Sequence, residues 1–274
     1  MDVERPKDGV VVRVLIAAGP VGALSASQAG AALATGLASG GHQVALIPLA
    51  DPGPDFGRLL ADLSSAPLVV THGGWAVATD DLLAVGGDLV TALRQYGPRP
   101  EIVLDLTAVP EGQADELAAT LGTFAAAGSH LTGVVHAAEV GGAAAEAGVL
   151  AVVRRPTGAG AAGGLGTIVL RAGGQLVSSP GFCAARAGLG PTMAQAGLVI
   201  TAATRFDVGS HGGDVVPFVT SLALDLGKPV VLVAETLAIS RRELRANGIE
   251  EAIALADAHP ISLVNAGKQL AHGW

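Results

Sequence analysis

The sequence predicts an α/β protein built on parallel sheet, and three observations carry that prediction. Apolar, β-branched runs recur along the chain, beginning with VVVRVLIAA (10–18) and HQVALIPLA (42–50). The segment between those two opens with a helix start signal, so strand, helix and strand follow one another within about forty residues, the βαβ pattern of a parallel sheet. Half of the 274 residues are apolar, yet only 3% are aromatic and 39 are glycine. A core of Ala, Val and Leu with many glycines suits helices laid closely on a sheet, and the length suits one large or two modest domains.

Taken in order, GPVGAL follows the first strand as a loop. Ser25, with Gln28 three residues on, forms a capping box that starts a helix ended by Gly40 and Gly41. After the second strand, a short helix at roughly 56–63 leads to APLVVTH as a strand, and DDLLAVGGDLVTALRQY reads as helix. EIVLDL (101–106) is strand, QADELAATLGTFAAAG helix, LTGVVHA strand, AAEVGGAAAEAG helix and VLAVVRR (149–155) strand. Beyond a glycine stretch come helices in GGLGTIVLRAG and PGFCAARAGL, then strand AGLVITAA (196–203) and the polar loop TRFDVGSHGGD. VPFVTSLALDLG is helix, KPVVLVAE (228–235) strand, and Ser240 with Glu243 makes a second capping box.

Charge and cysteine usage narrow the function. Twenty-four acidic against 16 basic residues give a net charge of −8, which opposes nonspecific binding to nucleic acid or anionic membrane, and no Lys/Arg run offsets it. The lone cysteine, Cys183, rules out an intrachain disulfide and a Cys-rich metal cluster and reads as a buried structural residue. The first apolar run is short and holds Arg13, so neither a membrane span nor a secretory leader is expected, and the protein is expected to be cytoplasmic.

The stretch Gly158–Gly166, GAGAAGGLG, satisfies G-x-G-x-x-G through Gly158, Gly160 and Gly163, between a predicted strand and a predicted helix. A dinucleotide site also needs a carboxylate at the end of the next strand, and GGQLVSSPG has none. A Walker-type loop is excluded because no Lys-Ser/Thr follows. Two readings remain, a close-packed turn with glycines at positive φ, and an anion site at a helix N-terminus.

The order of features resembles the bacterial, ATP-dependent glycerate kinase family. LSASQAGAALATGL looks like its first helix, and VALIPLAD followed by PGPD is similar to its second strand and ADGGEG signature. GAGAAGGLG matches its GAAGGLG, AGLVITAATRFD (196–207) resembles ADLVITGEGRLD, and LGKPVVLVAE resembles the following strand. The likeness covers most of 11–72 and 149–240. It implies a two-lobed architecture, with 1–70 and 190–274 as a flavodoxin-like lobe and 71–189 as a second, shortened α/β lobe carrying the glycine loop. The chain would cross near His72 and near Pro191, and a small ligand would lie in a cleft between lobes.

By that resemblance, Asp207 and Asp51 are the catalytic candidates, with Asp207 a candidate Mg²⁺ ligand. Arg205, Gly53 and Ser210 would bind substrate, and Gly158, Gly160, Gly163, Gly164 and Gly166 would bind phosphate or nucleotide. ATP and Mg²⁺ are the implied cofactors, and a hydroxy acid or nucleotide the implied partner. Independently of resemblance, Asp51 ends a strand where ligands of open parallel sheets gather, and an Arg–Asp pair in a loop makes either a salt bridge or a carboxylate clamp. Glu235, ending its strand, reads as a turn residue near the same crevice, and His211 as a solvated loop residue. His130 and His136 fit no ligand spacing.

The departures are chemical. The family's PDSFKGS loop is AAGPVGALS here, ADGGEG keeps only Asp51 and Gly53, and GEGRLD keeps Arg205 and Asp207. The central loop is DLTAVPEGQ, with Thr107 its polar remnant, and T-x-x-GK becomes Ser210–Asp214 without lysine. Phosphoryl transfer needs donors on the phosphate, carboxylates for the metal and a group for the hydroxyl. Loss of one transition-state contact costs about 3–4 kcal/mol, so these losses predict weak or absent kinase activity with a retained small-anion or nucleotide pocket. An active hydroxy-acid kinase with a substitute base and a non-catalytic interaction protein are the competing expectations.

Overall fold

The computed structural model describes residues 12–71, 73–140 and 161–273. In chain order these form β1 (Arg13–Ala18), α1 (Ala26–Ala38), β2 (Gln43–Pro48), α2 (Pro54–Ser64), β3 (Leu68–Thr71), β4 (Gly74–Ala78), β5 (Leu82–Gly87) and α3 (Leu89–Tyr96). There follow β6 (Glu101–Asp105), α4 (Ala114–Ala126), β7 (His130–Val135), α5 (Ala137–Val140), a 3-10 turn (Ala161–Gly164), α6 (Leu165–Arg171), β8 (Gln175–Ser178) and α7 (Ser179–Ala187). The chain continues through α8 (Leu189–Gln195), β9 (Leu198–Asp207), α9 (Val215–Asp225), β10 (Val230–Ala238), α10 (Arg241–Ala246), β11 (Glu251–Ala254) and α11 (Pro260–Gly273). The class is α/β, as the alternation of strand and helix predicts. The predicted strand at 149–155, most of the helix before it, Gly158, Gly160 and His72 lie outside the described residues.

Two compact units share the chain. One comprises Met1–Pro48, Gly188–Gly212 and Val219–Trp274. Its sheet is wholly parallel, in the order β2-β1-β9-β10-β11, the flavodoxin-like arrangement. After the exposed Arg13, β1 is apolar and buried throughout because both of its faces are covered, as central parallel strands require. Val14, Ile16, Leu198, Ile200, Val231 and Val233 share one buried cluster with Leu33 and Leu37 of α1 and Leu263 and Leu270 of α11. The two helices meet at Gly36 and Gly267, where a Cβ on Gly36 would lie 2.2 Å from the Val264 carbonyl oxygen. Glycine is what lets the backbones touch. Both capping boxes form as the sequence predicts: Ser25 with Gln28 starts α1, and Ser240 with Glu243 starts α10.

The other unit comprises Leu49–Ala187 and Gly213–Phe218. Its sheet has the order β3-β4-β5-β6-β7-β8, antiparallel from β3 to β5 and parallel from β5 to β8. The helix predicted across 80–96 is corrected here: LLAVGG is β5, and only Leu89–Tyr96 is helical. Gly86 and Gly87 account for the difference. A Cβ on Gly86 would sit 2.3 Å from the Trp75 indole nitrogen, and Gly87 has φ 82°, so the strand ends there and Asp88 caps α3 through the Thr91 N–H.

The first passage between units falls at Pro48–Leu49, earlier in the chain than the crossing expected near His72. Aromatic packing explains the shift. Phe56 of α2 is fully buried, edge-on to Trp75 of β4 at 6.1 Å and to Phe182 of α7 at 5.7 Å. α2 therefore belongs with the six-stranded sheet. Cys183, next to that cluster, is buried, and burial pushes its thiol up to about 12, so it is an unreactive structural residue as the sequence suggested.

Candidate functional site

In the six-stranded unit, the carboxyl ends of the parallel strands gather polar side chains, the place where open α/β sheets hold ligands. Asp105 closes β6 and is only 1% exposed. Its Oδ2 accepts the Gly53 N–H at 2.6 Å, and its Oδ1 accepts the Thr107 N–H at 3.1 Å and the Thr107 hydroxyl at 2.7 Å. Gly53 has φ 107° and ψ −158°, a conformation open almost only to glycine, and it leads directly into α2. Ser179 donates to the Ala50 carbonyl at 2.7 Å and holds the chain just ahead of Asp51.

Asp51 turns inward to backbone. Its Oδ1 accepts the N–H groups of Asp214 at 2.7 Å and Val215 at 3.0 Å, capping the start of α9. Gly213 lies against it, and a Cβ there would stand 2.0 Å from Asp51 Oδ2. Burial raises the Asp51 carboxyl above its ordinary value, the two N–H groups oppose that, and the carboxylates of Asp214 and Asp55 add to it. A raised value in the folded state means the protonated form favours folding. Stability from this group is full below pH 3.8 and is lost as pH rises through the raised value. Asp51→Asn keeps an oxygen for both N–H groups and avoids that loss. The variant is expected to melt above the wild type at pH 7, with the gain vanishing as pH falls below 3.8; paired thermal melts across that range check it.

Asp214 carries the arrangement onward. Its Oδ2 accepts the Ala137 N–H at 3.1 Å and meets His136 Nδ1 at 3.2 Å. The His136 N–H donates to Glu139 Oε2 at 3.2 Å, and Glu139 Oε1 accepts the Ala162 N–H at 3.1 Å. Glu139 thus ties the start of the glycine turn to the end of β7. Ala162, Gly163 and Gly164 are consecutively left-handed, with φ 50°, 66° and 97°, and Gly166 is buried in α6. Gly163 and Gly164 satisfy the positive-φ expectation, and no neighbour would crowd a Cβ on either, so backbone conformation is what demands glycine there.

The five-stranded unit holds the second group. Asp207 ends β9, with Oδ1 accepting the Gly209 N–H at 2.9 Å and the Ser210 N–H at 2.8 Å, while Arg205 Nε binds Oδ2. The Arg205 guanidinium, with the Ser210 and Gly209 N–H groups, holds the Asp207 carboxyl well below the usual range. Ser210 Oγ returns to the Arg205 carbonyl at 3.3 Å. Nearby, Thr204 Oγ1 accepts the Gly22 N–H at 2.9 Å, which fastens the loop after β1 beside the strand-order switch between β1 and β9.

The candidate residues therefore fall into two local groups. Asp51 and Gly53 join Asp105, Thr107, Asp214 and His136 in one unit, and Arg205, Asp207 and Ser210 close on themselves in the other. Among the described residues, no three His, Cys, Asp or Glu side chains are placed to share a metal ion. Asp207 has partners on both oxygens and Asp51 spends one on a helix start, so among the described residues these two aspartates do not form a preformed Mg²⁺ site. Among the described residues, no helix is long and apolar enough to cross a membrane.

The glycerate kinase family model matches residues 111–272, more than half of the chain. The chain belongs to the glycerate kinase family. The fold agrees: a structure from Salmonella typhimurium LT2, provisionally named glycerate kinase 2, superposes with a TM-score of 0.65 at 17% identity, covering 96% of this chain and 98% of that one. Proteins of Mycobacterium bovis and Mycobacterium tuberculosis, each described only as uncharacterized, are 34% identical over 116 residues. Those stretches span 41% of this chain and 30% of each relative, so the chain aligns with under a third of the length of these curated relatives.

Sequence reasoning did not single out Asp105 or Glu139, and it set His136 aside as fitting no ligand spacing. A signal for Asp105 was present in the sequence, because it ends EIVLD as Asp51 ends VALIPLAD; Asp105 does close β6, whereas β2 stops at Pro48 and Asp51 lies beyond its end.

Proposed function

We propose that this glycerate-kinase-family protein binds a small hydroxy acid, with ATP as its second ligand, and transfers phosphate at most slowly. Membership of the family supports the ligand class. The observation that supports slow transfer is the engagement of the two retained aspartates, Asp207 with Arg205, Gly209 and Ser210, and Asp51 with Asp214 and Val215. Carboxylates held by the chain's own N–H groups are poorly placed to receive a metal or a substrate proton, and the lysines that would neutralise a transferring phosphate are absent from the matching motifs.

The test is calorimetry with D-glycerate and ATP, beside ADP release from ATP and Mg²⁺ with D-glycerate, lactate and related hydroxy acids. Saturable binding is expected, with turnover below about one per second, the low end of ordinary kinases. Faster turnover that Asp207→Asn abolishes would overturn the reading, as would the absence of binding by every acid.

A further inference from the structure

The polar cluster at the carboxyl ends of β6 and β7 contains a histidine whose ring, among the described residues, is held at Nδ1. Asp214 Oδ2 already accepts the Ala137 N–H and has no hydrogen to give, so its contact with His136 Nδ1 places the ring proton on Nδ1. Nε2 is then the basic nitrogen. The side chain is 56% exposed and no described residue engages that nitrogen, whereas Asp214 beneath it is 16% exposed and fixed from behind by its own N–H on Asp51.

Three bonds fix the ring's position. Glu139 takes the His136 N–H, Asp214 takes Nδ1, and Asp214 also takes the N–H of the next residue. Among the described residues, the groups facing the imidazole are thus Glu139 from its own segment, Asp214 from the start of α9, and Asp51 behind Asp214. All three are acidic. An exposed His–Asp contact alone contributes little stability, yet here the carboxylate orients both ring and backbone, the arrangement by which an acid prepares an imidazole to accept a proton. The same Glu139 holds the first left-handed residue of the glycine turn, so base and turn are anchored by one side chain.

We propose that His136, aligned by Asp214 as a positioning residue, meets the hydroxyl of the bound acid and takes its proton. The inference rests on the hydroxy-acid reading above. In the step it serves, the hydroxyl proton passes to Nε2 while the oxygen forms a bond to the γ-phosphorus of ATP. The bond from that phosphorus to the ADP oxygen breaks, ADP leaves with the electron pair, and His136 releases its proton to solvent. It supplies the hydroxyl-activating group that Asp51 and Asp207, both engaged, do not.

The experiment has two readouts. Diethyl pyrocarbonate is applied to the full chain and carbethoxylation is followed at each of the seven histidines by mass spectrometry. His136 is expected to react fastest, to slow at least tenfold under saturating D-glycerate, and to lose its advantage in Asp214→Asn. In the ADP-release assay, His136→Gly is expected to lose on the order of a hundredfold of the residual turnover, and added imidazole to restore part of it. D-glycerate that binds by calorimetry without protecting His136 overturns the inference and leaves the proposed function standing. So does His136→Gly turnover equal to wild type, or a loss that imidazole does not relieve. Failure of every acid to bind overturns both.

Discussion

Phe56→Ala is expected to destabilise the six-stranded unit by about 3–5 kcal/mol, the range for truncating a fully buried phenylalanine. Phe56 has no exposed surface and is clasped edge-on by Trp75 and Phe182, whose interplanar angles to it are 82° and 85°. Each such pair adds about 0.5–1.5 kcal/mol beyond area burial. The site cannot collapse readily, because Gly57 and Gly86 both lie against the Trp75 indole and fix where it stands. Trp75 is itself 5% exposed and, with Trp274, the chain's other tryptophan, replaced by Phe in every variant compared, reports the unit by fluorescence. In urea titrations, the Trp75 fluorescence midpoint should therefore fall further than the far-UV circular dichroism midpoint, which averages both units. Phe56→Leu, which refills much of the volume, should recover more than half of the loss. A fluorescence midpoint unmoved in Phe56→Ala would mean that these rings do not secure α2 to the sheet.

That cluster also marks where local pattern stops being informative. The capping boxes of α1 and α10 were legible because Ser-x-x-Gln and Ser-x-x-Glu act within four residues of chain. β1, β2, β6, β7, β9 and β10 were legible as apolar runs too short for helices and rich in β-branched residues. β4 and β5 were not, since Leu- and Ala-rich LLAVGG carries helix propensity and is made strand by its pairing with β4 and β6 and by the approach of Trp75. The site divides in the same way. Asp51 could be picked out as a strand-end carboxylate and Asp207 as half of an Arg–Asp pair expected in a loop, where β9 in fact runs through Asp207, but what they bind could not, because Asp51 meets an N–H group 163 residues away. His136 finds Asp214 across 78 residues, and no spacing rule spans that distance. Gly163 and Gly164 announced a left-handed turn, whereas Ala162, equally left-handed, gave no sign of it.

The second large effect is expected at Asp105. Removing its carboxyl in Asp105→Ala leaves the Gly53 N–H, the Thr107 N–H and the Thr107 hydroxyl without their acceptor. A buried donor left unpaired costs about 1–3 kcal/mol, while Thr107, half-exposed, can turn to water, so a loss of about 3 kcal/mol is expected. The consequence reaches further than stability. Gly53, at φ 107°, gives its N–H to that carboxylate while its carbonyl accepts the first N–H groups of α2, and it stands two residues beyond Asp51, whose oxygen caps α9 and so places Asp214 beneath His136. Freed from Asp105, the turn relaxes and the alignment of the imidazole loosens with it. Asp105→Ala should therefore slow carbethoxylation of His136 as well as lower the Trp75 unfolding midpoint. Gly53→Ala is the discriminating partner: open space surrounds its Cβ, so its cost comes from backbone strain alone, about 1–3 kcal/mol. If Asp105 acts by holding Gly53, the double variant should lose less than the sum of the two single losses, since neighbours sharing one interaction do not add. Full additivity would show that Asp105 stabilises β6 and its loop independently of the turn at Gly53.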